Sequence, residues 1–304
     1  RVKMKLICPS KNLFSNEIKN LLKKKFECDF LDINQKKFEK IAHKYEVVLL
    51  RFSHKLIYKK NTKIKFILSP TTGINHIDEK YFSEKKIKII TLQNEKNFLK
   101  NVAASSEFTI ALILMSLRKM KNIFIKYKRE KFIGNEIYKK KIGIIGLGRI
   151  GTKIAKILNA FGGNIYGYDI DDLKKPKFIK KVKLKYLLRN CDIITVNIPL
   201  NKKTVNFLNK NKLQLLKKNT LLVNSSRGEI VDENYIIKLV KKELIYYASD
   251  VVKEEHQNGL NKMKNYNKLN NLIYTNHIAG LTKESILKTD LKILNNFEKT
   301  YDKN

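Results

Sequence analysis

The chain is predicted to fold as an α/β protein with two parallel sheets, on three observations. Short apolar runs alternate with longer amphipathic stretches, the pattern of strands joined by crossover helices. The alternation breaks once, near Asn101, where a long apolar helix intervenes, and then resumes. In the second series a glycine-rich turn, Gly146 to Gly151, follows an apolar run directly and opens an amphipathic one. At 304 residues the chain has the length of two domains of about 150 residues each. It carries no low-complexity linker and only four prolines, so the break reads as a switch between two α/β units.

The elements follow in order. In the first hundred residues the strands are expected at Met4–Cys8, Cys28–Leu31, Val47–Leu50, Ile64–Leu68 and Ile87–Thr91, with helical pieces between them such as Glu17–Lys25. Ala103 to Met120 reads as one helix, apolar through most of its length. The second series places strands at Lys141–Ile145, Asn164–Tyr168, Ile193–Asn197, Thr220–Asn224, Ile245–Ser249 and Leu272–Thr275. Its helices are expected at Ile150–Phe161, Lys183–Arg189, Lys203–Leu216 and Glu233–Lys241, and a last helix begins about Lys283.

Lys and Arg number 64 against 28 Asp and Glu, a formal net charge of +36. Such a charge prompts a nucleic-acid hypothesis. Only seven of the basic residues are Arg, however, and the Lys are spread along the whole chain. Lys, Ile and Asn, whose codons are all A/T-rich, make up 127 of the 304 residues. A biased composition decorating solvated faces is the better reading, and no nucleic-acid partner is expected. The longest apolar run, Phe108–Leu117, falls short of the roughly 20 residues of a membrane span, so no membrane partner is expected either. The N-terminal residues do not read as a secretory signal. Three scattered cysteines, Cys8, Cys28 and Cys191, offer neither a disulfide framework nor a metal site, which points to the cytoplasm.

The chemistry gathers at the ends of predicted strands. Gly146, Gly148 and Gly151 fit G-x-G-x-x-G, with Arg149 and Ile150 inside it. The first glycine makes the tight turn, the second lets a pyrophosphate approach the backbone, and the third lets helix and strand pack. The helix N-terminus then offers N–H groups to phosphates. Asp169 ends the next strand, eighteen residues past Gly151, where an acid can bind a ribose diol and repel a 2′-phosphate, so NAD is the expected cofactor. Three further segments also follow predicted strands: Asn224-Ser-Ser-Arg227-Gly228, Ser249-Asp250-Val-Val-Lys-Glu-Glu255 and Thr275-Asn-His277-Ile-Ala-Gly280. Arg227 can bind a carboxylate and polarise the carbonyl beside it. His277 can exchange a proton near neutral pH, and Glu255 can hold the imidazole in one tautomer. On spacing alone this trio stays open, because a lone His is usually a surface or core group and Glu255 adjoins Glu254.

Over nearly its whole length the sequence resembles the D-isomer-specific 2-hydroxyacid dehydrogenases. The glycine turn with Asp169 is similar to their cofactor motif, and Asn224–Gly228 to their N-x-x-R-G segment, which implies that Arg227 binds substrate. Asp250–Glu255 is similar to D-V-x-x-x-E and Thr275–Gly280 to T-P-H-I-G-G, which implies Glu255 and His277 as the acid/base pair. Asn197-Ile-Pro199-Leu-Asn-Lys-Lys-Thr204 resembles the H-x-P-x-x-x-x-T loop along the cofactor. The resemblance also puts Ser225 and Asp250 on the cofactor side. Ser69–Asp78 resembles the family's substrate loop, with Thr72, Gly73 and Ile74 as substrate-binding positions, and Arg51 stands where many members carry a substrate-side Arg. His54 and His76 receive no catalytic role.

The fold so implied is a pair of Rossmann-like or flavodoxin-like parallel-sheet domains. The cofactor domain, 101–280, is inserted in a substrate domain made of 1–100 and 281–304, and the cleft between them closes on substrate. The activity implied is NAD-dependent reduction of a 2-keto acid to a D-2-hydroxy acid. The alternatives are phosphoglycerate dehydrogenase of serine synthesis and an NAD(H)-sensing corepressor-like protein. The resemblance further implies a homodimer through the 103–120 helix and no metal. Three departures stand out: Asn197 for His, Asn276 for Pro and His256 for Pro.

Overall fold

The computed structural model describes residues 3–122, 133–171, 176–255, 266 and 268–301. His256 lies outside them. The chain divides into two compact units, Arg1–Val102 with Leu281–Asn304, and Ala103–Gly280.

The first unit is a five-stranded parallel sheet in the order β2-β1-β3-β4-β5. Its strands are β1 Lys5–Cys8, β2 Glu27–Phe30, β3 Val47–Leu49, β4 Phe66–Leu68 and β5 Lys88–Ile90. Alternate side chains go to opposite faces, as strand geometry requires. Leu6, Val47, Leu49, Phe66 and Leu68 fill one core, and Ile7, Val48 and Ile67 fill the other. Both faces are therefore covered, which is why these strands read as continuous apolar runs. Three helices lie between them, α1 Asn16–Lys25, α2 Gln35–Ile41 and α3 Glu79–Glu84, and α4 Lys96–Leu99 follows β5. The chain's last helix, α10 (Lys283–Tyr301), returns to this unit, where Ile293, Leu294 and Phe297 pack with Ile18 and Leu22 of α1.

The second unit is a seven-stranded parallel sheet in the order β12-β11-β10-β9-β6-β7-β8. The strands are β6 Lys141–Ile145, β7 Asn164–Tyr168, β8 Lys180–Lys181, β9 Ile193–Val196, β10 Leu221–Asn224, β11 Tyr246–Ser249 and β12 Leu272–Tyr274. The helices are α5 Ala104–Leu117, α6 Arg149–Ala160, α7 Leu184–Asn190, α8 Lys210–Leu213 and α9 Glu233–Lys241. Ile110, Leu112, Ile113 and Leu117 of α5 pack with Ile154, Ala155 and Leu158 of α6 on one face of this sheet. By length and hydropathy alone, Lys96–Leu117 would pass as a membrane span. A turn before Ala104 interrupts it, and the apolar residues of α5 named above belong to the core.

One expected element is corrected. Lys203–Leu216 is not a single helix. The Thr204 hydroxyl binds the carbonyl of Pro199 at 2.6 Å and accepts from the Asn201 N–H at 2.8 Å, and Asn206 takes a left-handed conformation (φ 52°). A helix starts only at α8, where the Asn209 side chain caps the Lys212 N–H. The two-residue strand β8 also escaped the pattern, being too short to show a period.

Candidate active site

In the second sheet the chain leaves β6 to one side through β7 and to the other through β9. Ligands of open parallel sheets bind outside the strand ends at such a reversal. The turn Gly146–Gly151 sits there. Gly146 has φ +86°, and a Cβ on it would meet the Asn197 carbonyl at 2.6 Å. A Cβ on Gly151 would strike the Gly146 carbonyl, so α6 and β6 pack backbone to backbone. Gly148 differs from both. It is exposed, it begins α6 without a side-chain cap, and a Cβ there would meet nothing within 4 Å. The backbone there is open to a ligand, and a side chain would occupy that space, where a helix N-terminus attracts anions. Asp169 follows β7, accepting the Leu147 N–H at 2.5 Å on one oxygen and the Asp171 N–H at 3.0 Å on the other. Its carboxylate is thus fixed beside the glycine turn. Arg149 and Ile150 are half-buried in the first turn of α6, and burial pushes the Arg149 guanidinium down from its usual range. The residues present fit a dinucleotide.

The other expected cofactor contacts are held locally. Pro199 is exposed, and its carbonyl is bound by Thr204. The Ser225 hydroxyl pairs with that of Thr109 at 2.7 Å. Asp250 is corrected: it has no exposed surface for a ligand to touch. Its carboxylate accepts from the Thr275 hydroxyl (2.6 Å) and from the N–H groups of Ile278 (2.9 Å) and Ala279 (2.8 Å). Its own carbonyl accepts from the His277 N–H at 2.8 Å. Asp250 therefore shapes the loop that carries His277. Burial pushes its carboxyl up, and these bonds pull it back.

Arg227, Glu255 and His277 follow β10, β11 and β12, three adjacent strands. The His277 Nδ1 lies 2.7 Å from Glu255 Oε1, with both side chains mostly buried. A carboxylate accepts at Nδ1–H, which leaves Nε2 to exchange a proton. Arg227 is partly buried, and its Nη1 donates to the Ser226 carbonyl at 2.6 Å. Burial pushes the guanidinium down, while the charges of Glu255 and Glu229 push it back up.

Three residues that the sequence reading gave no role hold these loops together. Asn224, fully buried, donates to the Arg227 carbonyl at 2.9 Å and accepts the Ser226 N–H at 3.0 Å. The Ser249 hydroxyl donates to the carbonyls of Asn224 and Val251. Gly228 lies so close to Val252 and Lys253 that a Cβ would strike their backbone. A polar residue ending an apolar strand was the available signal for Asn224 and Ser249.

In the first unit Thr72 is exposed and Gly73 and Ile74 are half-buried, in the loop after β4. Thr71 braces that loop, donating to the Gly73 carbonyl at 2.8 Å. Arg51 is corrected. It is buried, and its Nη2 lies 2.5 Å from Asp290 Oδ1 of α10 and 3.2 Å from the Thr289 hydroxyl. The guanidinium also stands over the Phe14 ring. It ties β3 to the last helix and is not displayed to a ligand. His54 and His76 are buried among hydrogen bonds, to the Ile33 carbonyl and to Ser69.

A glycine turn, a strand-end acid and a mostly buried histidine–carboxylate pair past the strand ends of one parallel sheet are the features of a dinucleotide-binding fold. Residues 110–279 match the family described as D-isomer specific 2-hydroxyacid dehydrogenase, NAD binding domain, and the chain belongs to that family. It is similar to D-3-phosphoglycerate dehydrogenase of Methanocaldococcus jannaschii, 31% identical over 252 residues, covering 79% of this chain and 47% of the relative. It is also similar to glyoxylate reductase of Pyrococcus horikoshii, 28% identical over 242 residues, covering 74% and 70%. The chain spans about half the length of the phosphoglycerate dehydrogenases it matches. Its fold is that of D-lactate dehydrogenase from Aquifex aeolicus complexed with NAD and lactic acid, with TM-score 0.81, 22% identity, and coverage of 98% and 95%.

Proposed function

We propose that the protein interconverts a D-2-hydroxy acid and its 2-keto acid with NAD as cofactor. The observation that carries this reading is the 2.7 Å contact between His277 Nδ1 and Glu255 Oε1, at the sheet edge that also carries Arg227 and the glycine turn. A bound nicotinamide dinucleotide supplies the hydride. Arg227, with its guanidinium partly desolvated, binds the substrate carboxylate and polarises the neighbouring carbonyl. His277 protonates the carbonyl oxygen from Nε2 in reduction and takes the proton back in oxidation. Glu255 keeps the proton of the neutral ring on Nδ1 and stabilises the imidazolium formed in oxidation. Asp169, beside the glycine turn, favours NADH over NADPH. The partly exposed apolar side chains Phe108, Leu114 and Met115 of α5 support a homodimer through residues 103–120.

Phosphoglycerate dehydrogenase is the second reading, favoured by the names of the relatives. One assay tests both: NADH oxidation, with NADPH in parallel, against glyoxylate, pyruvate, hydroxypyruvate, 3-phosphohydroxypyruvate and bulkier keto acids. Turnover is expected with at least one of them. His277→Asn is expected to lower kcat by about a hundred-fold or more with NADH affinity within about two-fold of wild type. Equal turnover by that variant would refute the assignment of His277.

A further inference from the structure

Within the loop Thr275–Ala279, His277 is a non-glycine residue in the left-handed region, with φ +53°. Such a conformation persists only where the surroundings impose it. Here they do so from one side. The fully buried carboxylate of Asp250 takes the Thr275 hydroxyl ahead of His277 and the two N–H groups behind it, and its carbonyl takes the N–H of His277 itself. Thr275 and Ile278 share one oxygen, Oδ1, while Ala279 binds the other. The Thr275 hydroxyl is the side-chain donor among these three bonds and the shortest of them, at 2.6 Å. Between these anchors lies Asn276, exposed and at negative φ, whose N–H has no acceptor among the described residues. It adds no constraint of its own.

We propose that Thr275 is a positioning residue: through Asp250 its hydroxyl holds His277 left-handed and so sets the imidazole against Glu255. Removing the hydroxyl leaves the carboxylate one donor short at a position with no exposed surface. Its ionised form loses ground, and its grip on the Ile278 and Ala279 amides weakens with it. The ring then samples orientations in which Nδ1 no longer meets Glu255, and Nε2 loses its fixed direction. Turnover suffers, whereas the glycine turn that holds the dinucleotide is untouched.

The test compares Thr275→Val, which keeps the shape, with Thr275→Ser, which keeps the hydroxyl. Its activity arm rests on the dehydrogenase reading; its amide-exchange arm does not. In Thr275→Val the Ile278 and Ala279 amides should exchange at least about ten-fold faster. With the best keto acid, kcat should fall about ten-fold or more, the worth of one hydrogen bond to a charged group. NADH affinity should stay within about two-fold of wild type, and Thr275→Ser should keep both the exchange rates and kcat near wild type. Asn276→Pro, added to Thr275→Val, should recover most of the lost kcat, because it stiffens the one unconstrained link. Unchanged amide exchange in Thr275→Val would overturn the proposal. So would a loss of kcat matched by an equal loss of NADH affinity, which would place the effect in cofactor binding. If no keto acid turns over in the wild type, the dehydrogenase reading fails, and amide exchange alone decides the role of Thr275.

Discussion

Arg51 and Asp290 give the sharpest test of how the first unit is held together. The pair is nearly dry, with side-chain exposures of 8% and 1%. It meets through one guanidinium nitrogen and one carboxylate oxygen. Arg51 Nε and Asp290 Oδ2 are buried with no partner among the described residues. Two unsatisfied buried atoms cost about 1–3 kcal/mol each. The attraction therefore has little left over after desolvation. Removing one partner strands a buried charge, so Asp290→Leu alone should destabilise by about 3–5 kcal/mol. Arg51→Met with Asp290→Leu removes both charges and should be neutral or stabilising by up to about 4 kcal/mol. Urea unfolding followed by circular dichroism reads all four corners of the cycle. The pH dependence provides a second reading. Burial pushes the Asp290 carboxyl up to about 7, against the pull of Arg51. A raised carboxyl binds its proton more tightly in the folded chain, so the stability it contributes is present at low pH and lost as pH rises through about 7. Wild type should lose stability relative to the double variant between about pH 4 and pH 7. Singles as mild as the double would refute the buried-pair argument. Loss of NADH-dependent turnover in a stable double variant would return Arg51 to the substrate.

The glycines separate folding from binding. A side chain at Gly148 has open space, so Gly148→Val should keep the urea midpoint and weaken NADH by about ten-fold or more. At Gly151 a Cβ strikes the Gly146 carbonyl, so Gly151→Ala should lower both stability and NADH affinity. Gly228→Ala has only backbone to push against, at Val252 and Lys253. It should cost about 1–3 kcal/mol in urea unfolding and lower kcat, because it pushes the Arg227 turn away from the segment that leads to Glu255.

Most of both sheets was legible in the sequence because their strands are buried on two faces and stand out as apolar runs. β6 and β7 fall on the residues that the runs marked. Lys203–Leu216 misled because its periodic Leu and Phe residues belong to a looped segment, in which Thr204 and Asn206 override the spacing. At the site, residue type and strand-end position singled out Arg227, Glu255 and His277, which follow three adjacent strands, but not the partners that use up other polar side chains. Arg51 looked like a ligand for an anion because its counter-charge lies 239 positions away, on the last helix. Asp250 looked like a cofactor contact because nothing in its neighbourhood of sequence shows that Thr275, Ile278 and Ala279 return to it. Long-range satisfaction of buried polar groups is the part of a fold that pattern alone leaves open.

The composition bears on the same point. Lys has taken over nearly every cationic position in a chain with only seven Arg. Of the five Arg among the described residues, Arg118 and Arg189 are exposed, while Arg51, Arg149 and Arg227 are buried or half-buried. In those three places a point charge on a flexible stem is a poor substitute. A buried ammonium gives up its proton far more readily than a guanidinium does, and it lacks the planar fork that can bind a carboxylate on one edge and a carbonyl on another. Burial already pushes the guanidiniums of Arg149 and Arg227 down, and a lysine in either place would start from a lower pKa. Arg118 and Arg189 show that exposed positions can keep Arg too, but the three out-of-water ones each sit where a cation must stay charged: one at the joint of the first unit, one at the glycine turn and one beside the His277–Glu255 pair.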